Sequence, residues 1–554
     1  MPMNTARLSF RYSSADTVAS LVLLGMTDDC HRCILRPQRP LSCPQHNDSC
    51  LVLRPNTTYD FGVDGVFPMR LALHPRETLP PVWEGRYAFE EQSEYTMQAQ
   101  QLDTGEIHAS IVLDHKGSPL WVLTAMLAFV VVWLGWCVGQ FLWKRHLASL
   151  RDEDEDDTNH LPLLPAQGPS IAAGTASTAS DRARLSTQHI QRIKSLDAFR
   201  GITVFCMIFV NYGGGGYWQF KHSTWNGLTL ADLVFPWFAW IMGMSMSLVP
   251  PAKRSLRRCA VRSIKLFALG LFINNGVDFN TWRIPGVLQS FGVSYAIVSA
   301  ILVRTQAASV VLPAVIMAVL TLLQLLVVYF LPVAGCPTGY VGPGGNGDFG
   351  QYVQCTGGAH RAVDLALFGD AHIFQNPTIK FVYDTPSYDP EGVLNWIMVA
   401  LTTFFGYAVG SIVWHRCSCW TEKGWVLGLS GLVLVVVGAV LCQGRVNDGW
   451  IPVNKNLWSI TFVLVAAGLG SVVFGGVYLA VDVFHMWSGA PFLYAGMNPI
   501  LLYCGHEVLQ GYFPFDIAHD STSHAATTLA NLLGAISWLC IARILYAKNV
   551  FVTV

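Results

Sequence analysis

The stretch that decides the fold is residues 202–242, ITVFCMIFV-NYGGGGYWQFKHSTWNG-LTLADLVFPWFAWIM. Two apolar runs flank a polar segment, 211–227, that contains four consecutive glycines and His222. Glycine has no Cβ and carries a high conformational cost, so four in a row predict a close backbone approach. Ionisable or polar groups at the end of a membrane helix are a functional hypothesis by default. The pattern predicts two membrane helices joined by a loop whose reaction centre is His222.

Composition supports a chain that crosses the membrane many times. Of its 554 residues, 52% are hydrophobic and 13% are charged, and the mean hydropathy is +0.39. A soluble chain of this length would carry about 25% charged residues. The expected fold class is therefore a polytopic α-helical membrane protein. The net charge of −1 argues against a nucleic-acid partner.

Runs of apolar residues predict about eleven transmembrane helices. The first, 120–142, lies in the segment 118–143, and ten more lie within residues 195–554. These ten are 197–212, 230–248, 264–276, 286–303, 308–331, 391–413, 425–442, 458–480, 492–510 and 526–546. The acidic, Ser- and Pro-rich linker 144–194 is predicted to be disordered. Basic residues between the spans favour an exterior N-terminal region, an exterior loop 332–390 and a cytosolic C-terminus.

Residues 1–117 are predicted to form a small β-rich exterior domain, because apolar and polar residues alternate weakly there. Sequons at Asn47 and Asn56 lie close to Cys30, Cys33, Cys43 and Cys50, whose pairing the sequence leaves unknown. Both features fit an oxidising compartment that glycosylates. The apolar run 18–26 lacks the features of a cleavable export signal. Either the first membrane helix directs insertion, or the sequence begins within a longer chain. In the loop 332–390, a disulfide between Cys336 and Cys355 is expected.

His222 is the predicted reaction centre because imidazole suits proton transfer and nucleophilic attack near neutral pH. Asn211 and Asn226 could orient its ring or donate to an oxyanion. The plainer interpretation is that His222 caps a helix and contacts water. Asp232 lies at the head of the second apolar run, where an ionised group needs a partner or a cavity. It could equally be a helix-start carboxylate. The aromatic residues around His222 fit a membrane-interface belt: Tyr217, Trp218, Phe220 and Trp225.

Other polar residues lie near the ends of predicted spans. Arg283 could bind an anionic sugar or a phosphate, or pair with Asp278. Asp197 and Arg200 have the spacing of an ordinary helix brace, although the arginine could serve a cofactor phosphate. The remaining binding candidates are Asn454, Lys455, Asn498, His506 and Glu507.

Three of these candidates also have structural explanations, and no metal site is predicted. Asn498 precedes a proline and is explained by a helix break. His506 and Glu507 could simply pair with each other or with a neighbouring helix. The segment His415-Arg-Cys-Ser-Cys419 is too small for a metal site.

Several long motifs resemble the heparan-α-glucosaminide N-acetyltransferase family. The first is 211–243, and the others are Arg283-Ile-Pro-Gly-Val-Leu-Gln289, Gly335-Cys-Pro-Thr-Gly-Tyr340 with Cys355-Thr-Gly-Gly358, Tyr388-Asp-Pro-Glu-Gly392, Pro452-Val-Asn-Lys-Asn-Leu-Trp458, and Gly496-Met-Asn498 with Gly505-His-Glu507. The resemblance covers about residues 190–550. Ser290 departs from it, because the family usually has arginine there.

The resemblance implies an enzyme of the lysosomal membrane with a lumenal N-terminal domain. It implies transfer of acetyl from cytosolic acetyl-CoA, as co-substrate and without a metal, to a terminal glucosamine amine of heparan sulfate in the lumen. The family's active histidine matches His222, and its nearby asparagine matches Asn211. Expected partners are the heparan sulfate terminus and membrane lipid, with a homo-oligomer left open. Two alternatives remain: a sugar or acid transporter, and an acyltransferase that uses another glycan.

Overall fold

The computed structural model describes residues 2–13, 21–43, 51–75, 81–101, 107–117, 193–305 and 309–552, with a few residues between 123 and 142. The predicted first membrane helix and the linker therefore lie almost entirely outside the described residues. The sequon Asn47 and the cysteine Cys50 lie outside them too. Asn56 is described and exposed.

The N-terminal region forms two four-stranded β-sheets. Its strands are β1 Thr5–Ser13, β2 Leu21–Thr27, β3 Arg36–Pro37, β4 Thr58–Asp64, β5 Met69–Pro75, β6 Trp83–Tyr87, β7 Glu94–Gln101 and β8 Ile107–His115. One sheet has the order β4-β1-β7-β8 and the other β3-β2-β5-β6. Only the pair β1–β7 is parallel among these strand pairs. The apolar run 18–26 thus supplies most of strand β2.

The two sheets pack face to face through one apolar core. Alternate residues of β1 are buried, as expected of a strand with one face covered. Leu8 and Phe10 of β1 share this core with Leu23 of β2 and Leu71 of β5. The β-rich character predicted for this region is confirmed.

Helices predominate among the described residues after 193. These helices are α1 Lys194–Asn211, α2 Leu230–Ser247, α3 Leu256–Asn274, α4 Val287–Arg304, α5 Val311–Phe330, α6 Ala359–Phe368, α7 Thr378–Tyr383, α8 Val393–His415, α9 Trp420–Leu441, α10 Ile460–Tyr478, α11 Phe492–Met497, α12 Pro499–Val508 and α13 His524–Ala547. Helix α10 continues through one wider turn to Val483. Glycines let some helices approach closely: a Cβ on Gly243 of α2 would lie 1.8 Å from the carbonyl oxygen of Thr403 in α8.

Seven helices among the described residues are long and apolar enough to cross a membrane: α2, α4, α5, α8, α9, α10 and α13. Helices α1 and α3 match predicted spans but carry three and four Asp, Lys or Arg residues, respectively. The predicted span 492–510 is broken into α11 and α12 at Asn498, because Pro499 cannot continue a helix. A polytopic membrane protein is supported, whereas the count of eleven is not confirmed.

The four-glycine segment after α1 makes the close approach that the sequence predicts. Gly213 to Gly216 all have positive φ, between 58° and 119°. A Cβ on Gly215 would lie 2.3 Å from the Oγ1 atom of Thr528 in α13. The backbone of Gly215 also bonds to α13, with its N–H donating to Asn531 Oδ1 at 2.9 Å and its carbonyl accepting from His524 Nδ1 at 2.7 Å. The glycines therefore fix the loop that carries His222 against the last long helix.

Two disulfides are present among the described residues. Cys336 pairs with Cys355, as predicted, and this bond closes the Gly-rich part of the loop 332–390. Cys30 pairs with Cys33. Both of these cysteines pack with Trp225 and Tyr388. The N-terminal β-rich region therefore contacts the loop that carries His222.

Candidate active site

His222 and Asp232 form a hydrogen-bonded pair at the start of α2. The imidazole Nδ1 lies 2.8 Å from Asp232 Oδ1. Asp232 is fully buried, and 37% of the His222 side chain is exposed. The other carboxylate oxygen, Oδ2, accepts from the backbone N–H and the hydroxyl of Thr229 and from the N–H of Ser223. Both interpretations of Asp232 therefore hold, since it caps the helix and binds the histidine.

Lys455 and Asp232 both lie within hydrogen-bonding distance of the same ring nitrogen of His222, Nδ1. The Nζ atom of Lys455 lies 3.1 Å from this Nδ1 and 3.9 Å from Asp232 Oδ1. An ammonium group only donates, and one neutral imidazole nitrogen cannot donate to Asp232 and accept from Lys455 together. Because Asp232 is buried and its Oδ1 has no other hydrogen-bond donor among the described residues, we assign the proton to Nδ1. Nε2 is then the basic nitrogen, and Lys455 acts on the carboxylate through its charge.

His222 lines a cavity of about 460 Å³, which we call the histidine cavity. Volumes of this size hold small organic ligands. Its polar lining comprises Asn211, His222, Ser223, Asn274, Arg283, Asn376, Thr378, Glu391, Lys455, Asn456, Glu507 and Gln510. Its apolar lining comes mainly from α1, α2 and α4, at the end of α2 where Asp232 lies.

Asn211 contacts helix α12 rather than the His222 ring. Its Nδ2 lies 2.9 Å from His506 Nε2 and 3.2 Å from Glu507 Oε1. The other imidazole nitrogen, Nδ1 of His506, lies 2.6 Å from the carbonyl oxygen of Tyr503 and must donate to it. In the neutral ring Nε2 therefore accepts from Asn211. Asn211 thus holds Glu507 at the edge of the histidine cavity, and the ring of His222 is oriented by Asp232 instead.

Arg283 does not pair with Asp278, its predicted partner within the chain. It forms a two-point ion pair with Asp389, at 2.8 and 2.6 Å, and also contacts Glu391. Asp278 instead caps a short turn by accepting from Asn280. Burial alone would lower the pKa of Arg283, but the two carboxylates outweigh burial and raise it. Asp389 and Glu391 lie in the quoted motif 388–392 but are not among the predicted site residues.

Asn226 and Asn454 bond to each other and, among the described residues, make no hydrogen bond to His222. Asn454 Nδ2 donates to Asn226 Oδ1 at 3.0 Å, and Asn226 Nδ2 donates to Asn447 at 2.8 Å. Their role is to join the loop 222–227 to the segment 452–459, which places Lys455 beside His222. Two of the predicted belt aromatics, Tyr217 and Trp225, are buried core residues, so the belt prediction is wrong for them.

The β-rich region supports the loop from its other side. Asn4 Nδ2 donates to the carbonyl oxygen of Gly216 at 2.9 Å. Thr224, two residues after His222, donates to Asp29 Oδ2 at 2.6 Å. Burial raises the pKa of Asp29 despite this hydrogen bond. His524 Nε2 lies 2.6 Å from Glu91 Oε1, so one buried pair links the β-rich region, α13 and the glycine segment.

A second cavity, of about 440 Å³, lies toward the opposite end of α2. Ser245, Met246 and Val249 line this cavity, which we call the arginine cavity, together with Arg200 and Arg262. Arg200 makes the predicted brace with Asp197 at 3.0 Å and also donates to Ser245. The Nε atom of Arg262 is buried with no hydrogen-bond partner among the described residues, and its guanidinium lies 4.6 Å from the centre of the Tyr295 ring.

The histidine and arginine cavities adjoin each other. Phe238, Phe291 and Tyr503 line both of them. Helix α2 connects the two ends, and its 18 residues span about 27 Å at 1.5 Å per residue. That length approaches the thickness of a hydrocarbon core, about 30 Å. Together the two cavities therefore follow α2 for most of its length, with three aromatic side chains between them.

Asn498 has a structural role. Its Nδ2 donates to the carbonyl oxygen of Val550, and its Oδ1 accepts from the N–H of Val552. Val552 lines the arginine cavity. Ser290, where the family usually has arginine, is buried and donates to Gly286, so it lines none of the cavities described above.

Residues 192–334 match the family model described as heparan-alpha-glucosaminide N-acetyltransferase, catalytic. The chain is 40% identical over 404 residues to heparan-alpha-glucosaminide N-acetyltransferase from Homo sapiens, covering 65% of this chain and 59% of that protein. The protein of the same name from Mus musculus gives 40% identity over 404 residues, covering 65% and 60%. The chain thus matches about three fifths of the length of these curated relatives. The resemblance expected from the motifs is confirmed.

Proposed function

We propose that this protein transfers acetyl from cytosolic acetyl-CoA to the terminal glucosamine amine of heparan sulfate in the lysosomal lumen. The observation that carries the proposal is the buried Asp232 beside His222, whose Nε2 is left basic in a cavity large enough for a sugar. A carboxylate that orients an imidazole is the arrangement that general-base and nucleophilic catalysis require. The names of the similar proteins supply the reaction class.

Two routes use the same nitrogen. In the first, Nε2 attacks the thioester carbonyl, and an N-acetyl bond forms as the carbon–sulfur bond breaks and coenzyme A leaves as its thiolate. The free amine then attacks the acetyl-imidazole, the imidazole leaves as the amide forms, and the amine's proton passes to the thiolate. In the second, Nε2 removes a proton from the glucosaminyl ammonium, and the amine attacks the thioester carbonyl directly. The carbon–sulfur bond breaks, and the coenzyme A thiolate takes the proton from the imidazolium. Asp232 stabilises the imidazolium that forms in the second route and keeps Nε2 available in both.

The charge around the histidine cavity suits a cationic acceptor. Two cations, Arg283 and Lys455, face four carboxylates in and just behind its wall: Asp232, Asp389, Glu391 and Glu507. The excess of two negative charges attracts an ammonium ion and disfavours a phosphate. Glu507 is the carboxylate among these four that has neither Arg283 nor Lys455 as a partner. We assign it the contact with the protonated amine.

The arginine cavity is the proposed entrance for the donor. Arg262 could bind the phosphates of coenzyme A. Further basic residues lie at and just before the start of the same helix: Lys253, Arg254, Arg257 and Arg258. Acetyl would then reach His222 past Phe238, Phe291 and Tyr503. An extended cofactor can span most of a hydrocarbon core of about 30 Å, so the route needs no large rocking of the bundle.

The deciding experiment measures transfer of labelled acetyl from acetyl-CoA to glucosamine by the purified protein in lipid nanodiscs. Transfer by the wild type, and its loss in a folded His222→Ala variant, would support the proposal. An active His222→Ala variant would remove this residue from the mechanism. A structure with bound acetyl-CoA tests the route, since a nucleotide bound on the lumenal surface would overturn it.

A further inference from the structure

A third cavity, of about 330 Å³, lies on the other side of the segment 452–459 from the histidine cavity. Lys455 and Asn456 of this segment line the histidine cavity, whereas Asn454, Leu457 and Trp458 line the third one. We call it the tryptophan cavity, because Trp225, Trp450 and Trp458 all contribute to its wall. Helices α5 and α8 and the β-rich region close its other sides.

Three buried polar side chains on the wall of the tryptophan cavity lack partners. Gln324 is 3% exposed and Trp458 is 0% exposed. Gln324 Oε1 and Trp458 Nε1 have no hydrogen-bond partner within the part of the chain that the structure describes. His360 is equally buried, and no hydrogen bond to its ring is found among the same residues. Burial lowers the pKa of His360 to about 4, so its ring is neutral at physiological pH.

Trp458 has a strained backbone conformation. Its φ is 45°, a left-handed value that a bulky residue rarely adopts. The ring is held by edge contacts to Phe235 and Phe462, at centroid distances of 5.0 and 5.2 Å. Strained residues of this kind cluster at ligand sites. The indole N–H of Trp458 is therefore held in place by packing and has no hydrogen-bond acceptor among the described residues.

The charged residues that line the tryptophan cavity disfavour an anion. Arg32 donates to Asp448 at 2.8 Å, and His31 Nε2 lies 3.4 Å from the same carboxylate oxygen. The third charged residue of the wall, Asp348, accepts from the Tyr340 hydroxyl. The positive charge is thus already matched, and what remains unfilled is neutral: one acceptor on Gln324, one donor on Trp458 and the imidazole of His360.

We propose that the tryptophan cavity binds a neutral pyranose, a second saccharide site distinct from the one beside His222. Ring hydroxyls both donate and accept, which matches the unfilled neutral groups. The C–H face of a pyranose matches the indoles and the apolar side chains of Leu325, Val328 and Met398. A volume of about 330 Å³ is at the small end of the range for ligand pockets, which fits a single sugar ring. This site does not depend on the acetyl-transfer proposal.

Methyl α-D-glucopyranoside is the probe, because it is neutral and has no amine. We expect saturable binding to the full protein in nanodiscs, followed by tryptophan fluorescence and by calorimetry. Gln324→Leu and Trp458→Phe should each weaken it about tenfold, because each removes one hydrogen-bonding atom from a buried contact. His222→Ala should leave it unchanged.

Matched controls lie in the same protein. Gln289 and Trp240 are also fully buried, also have unpartnered side-chain atoms, and line none of the three cavities. Gln289→Leu and Trp240→Phe should therefore leave binding of the probe intact. Equal losses in test and control variants, no saturable binding, or a structure showing only water or an acyl chain in this cavity would each overturn the proposal.

Discussion

Asp232 Oδ1 accepts a hydrogen bond from His222 Nδ1 at 2.8 Å while Asp232 Oδ2 caps the helix on which both depend. One carboxylate thus fixes the start of α2 and the tautomer of the histidine. Oδ2 caps the helix and Oδ1 orients the histidine. A substitution that keeps the shape of the Asp232 side chain but removes its charge therefore tests its effect on His222 without removing the helix cap.

Asp232→Asn should lower kcat for acetyl transfer by roughly 10³–10⁴-fold, the size of effect seen when a comparable buried aspartate is replaced by its amide. The amide can donate to Nδ1 and so favour the tautomer with the proton on Nε2, which is no longer basic. Asp364→Asn is the control, since Asp364 is also buried but bonds to the N–H of Val393 outside the three cavities. A kcat within threefold of the wild type would contradict the assigned role of Asp232.

Arg262→Ala should raise KM for acetyl-CoA by about tenfold or more, because a charged hydrogen bond to phosphate contributes roughly 1.5–3 kcal/mol. KM for glucosamine and kcat should change much less. Lys265→Ala is the control. Lys265 is an exposed cation on the same helix and lines none of the three cavities. If both variants behave alike in steady-state kinetics, the basic surface attracts the donor only generally, and the arginine cavity is not its entrance.

Gly215→Ala should destabilise the protein and reduce transfer. Its φ of +68° costs an L-residue roughly 1–2 kcal/mol, and the new Cβ would meet Thr528 Oγ1 at 2.3 Å. Gly276→Ala is the matched control, because no atom lies within 4 Å of its Cβ. Thermal unfolding in nanodiscs separates the two variants. Equal melting temperatures for Gly215→Ala and the wild type would show that the glycine segment is not held against α13.

Asp364 and His360 should have opposite effects on the pH dependence of stability. Burial raises the pKa of Asp364 to about 7 and lowers the pKa of His360 to about 4. Between pH 4 and 6.5 the folded protein holds an extra proton on Asp364, so this residue's contribution to stability falls as the pH rises. Over the same window the unfolded chain holds the extra proton on His360, so stability from this residue rises. Each slope is about 1.4 kcal/mol per pH unit, and the two cancel.

Single substitutions should expose these slopes. Asp364→Asn should make the melting temperature rise between pH 4 and 6.5, relative to the wild type, and His360→Gln should make it fall. The measurement is thermal unfolding across this pH range at constant ionic strength. Parallel profiles for the wild type and both variants would show that neither group titrates as assigned.

The helical regions and the special loop could be predicted from the sequence, because both follow from local patterns. Apolar runs mark the membrane helices, and four glycines have little other use than a close approach. The partners of the polar residues could not be predicted in the same way. Arg283 meets Asp389 across 106 residues of chain, and Asn211 meets His506 across 295. No periodicity encodes such contacts, so the sequence offers only Asp278, a near neighbour, as a partner for Arg283 within the chain.

The three aromatic side chains between the histidine and arginine cavities have a consequence for energy conservation. In the proposed topology one cavity faces an acidic compartment and the other faces the cytosol. A continuous column of water along α2 would let protons leak down that gradient and dissipate the work of the pump that maintains it. Phe238, Phe291 and Tyr503 occupy the junction where such a column would have to form. The same three rings that let an acetyl group pass must therefore keep water, and with it protons, from crossing between the two cavities during every turnover.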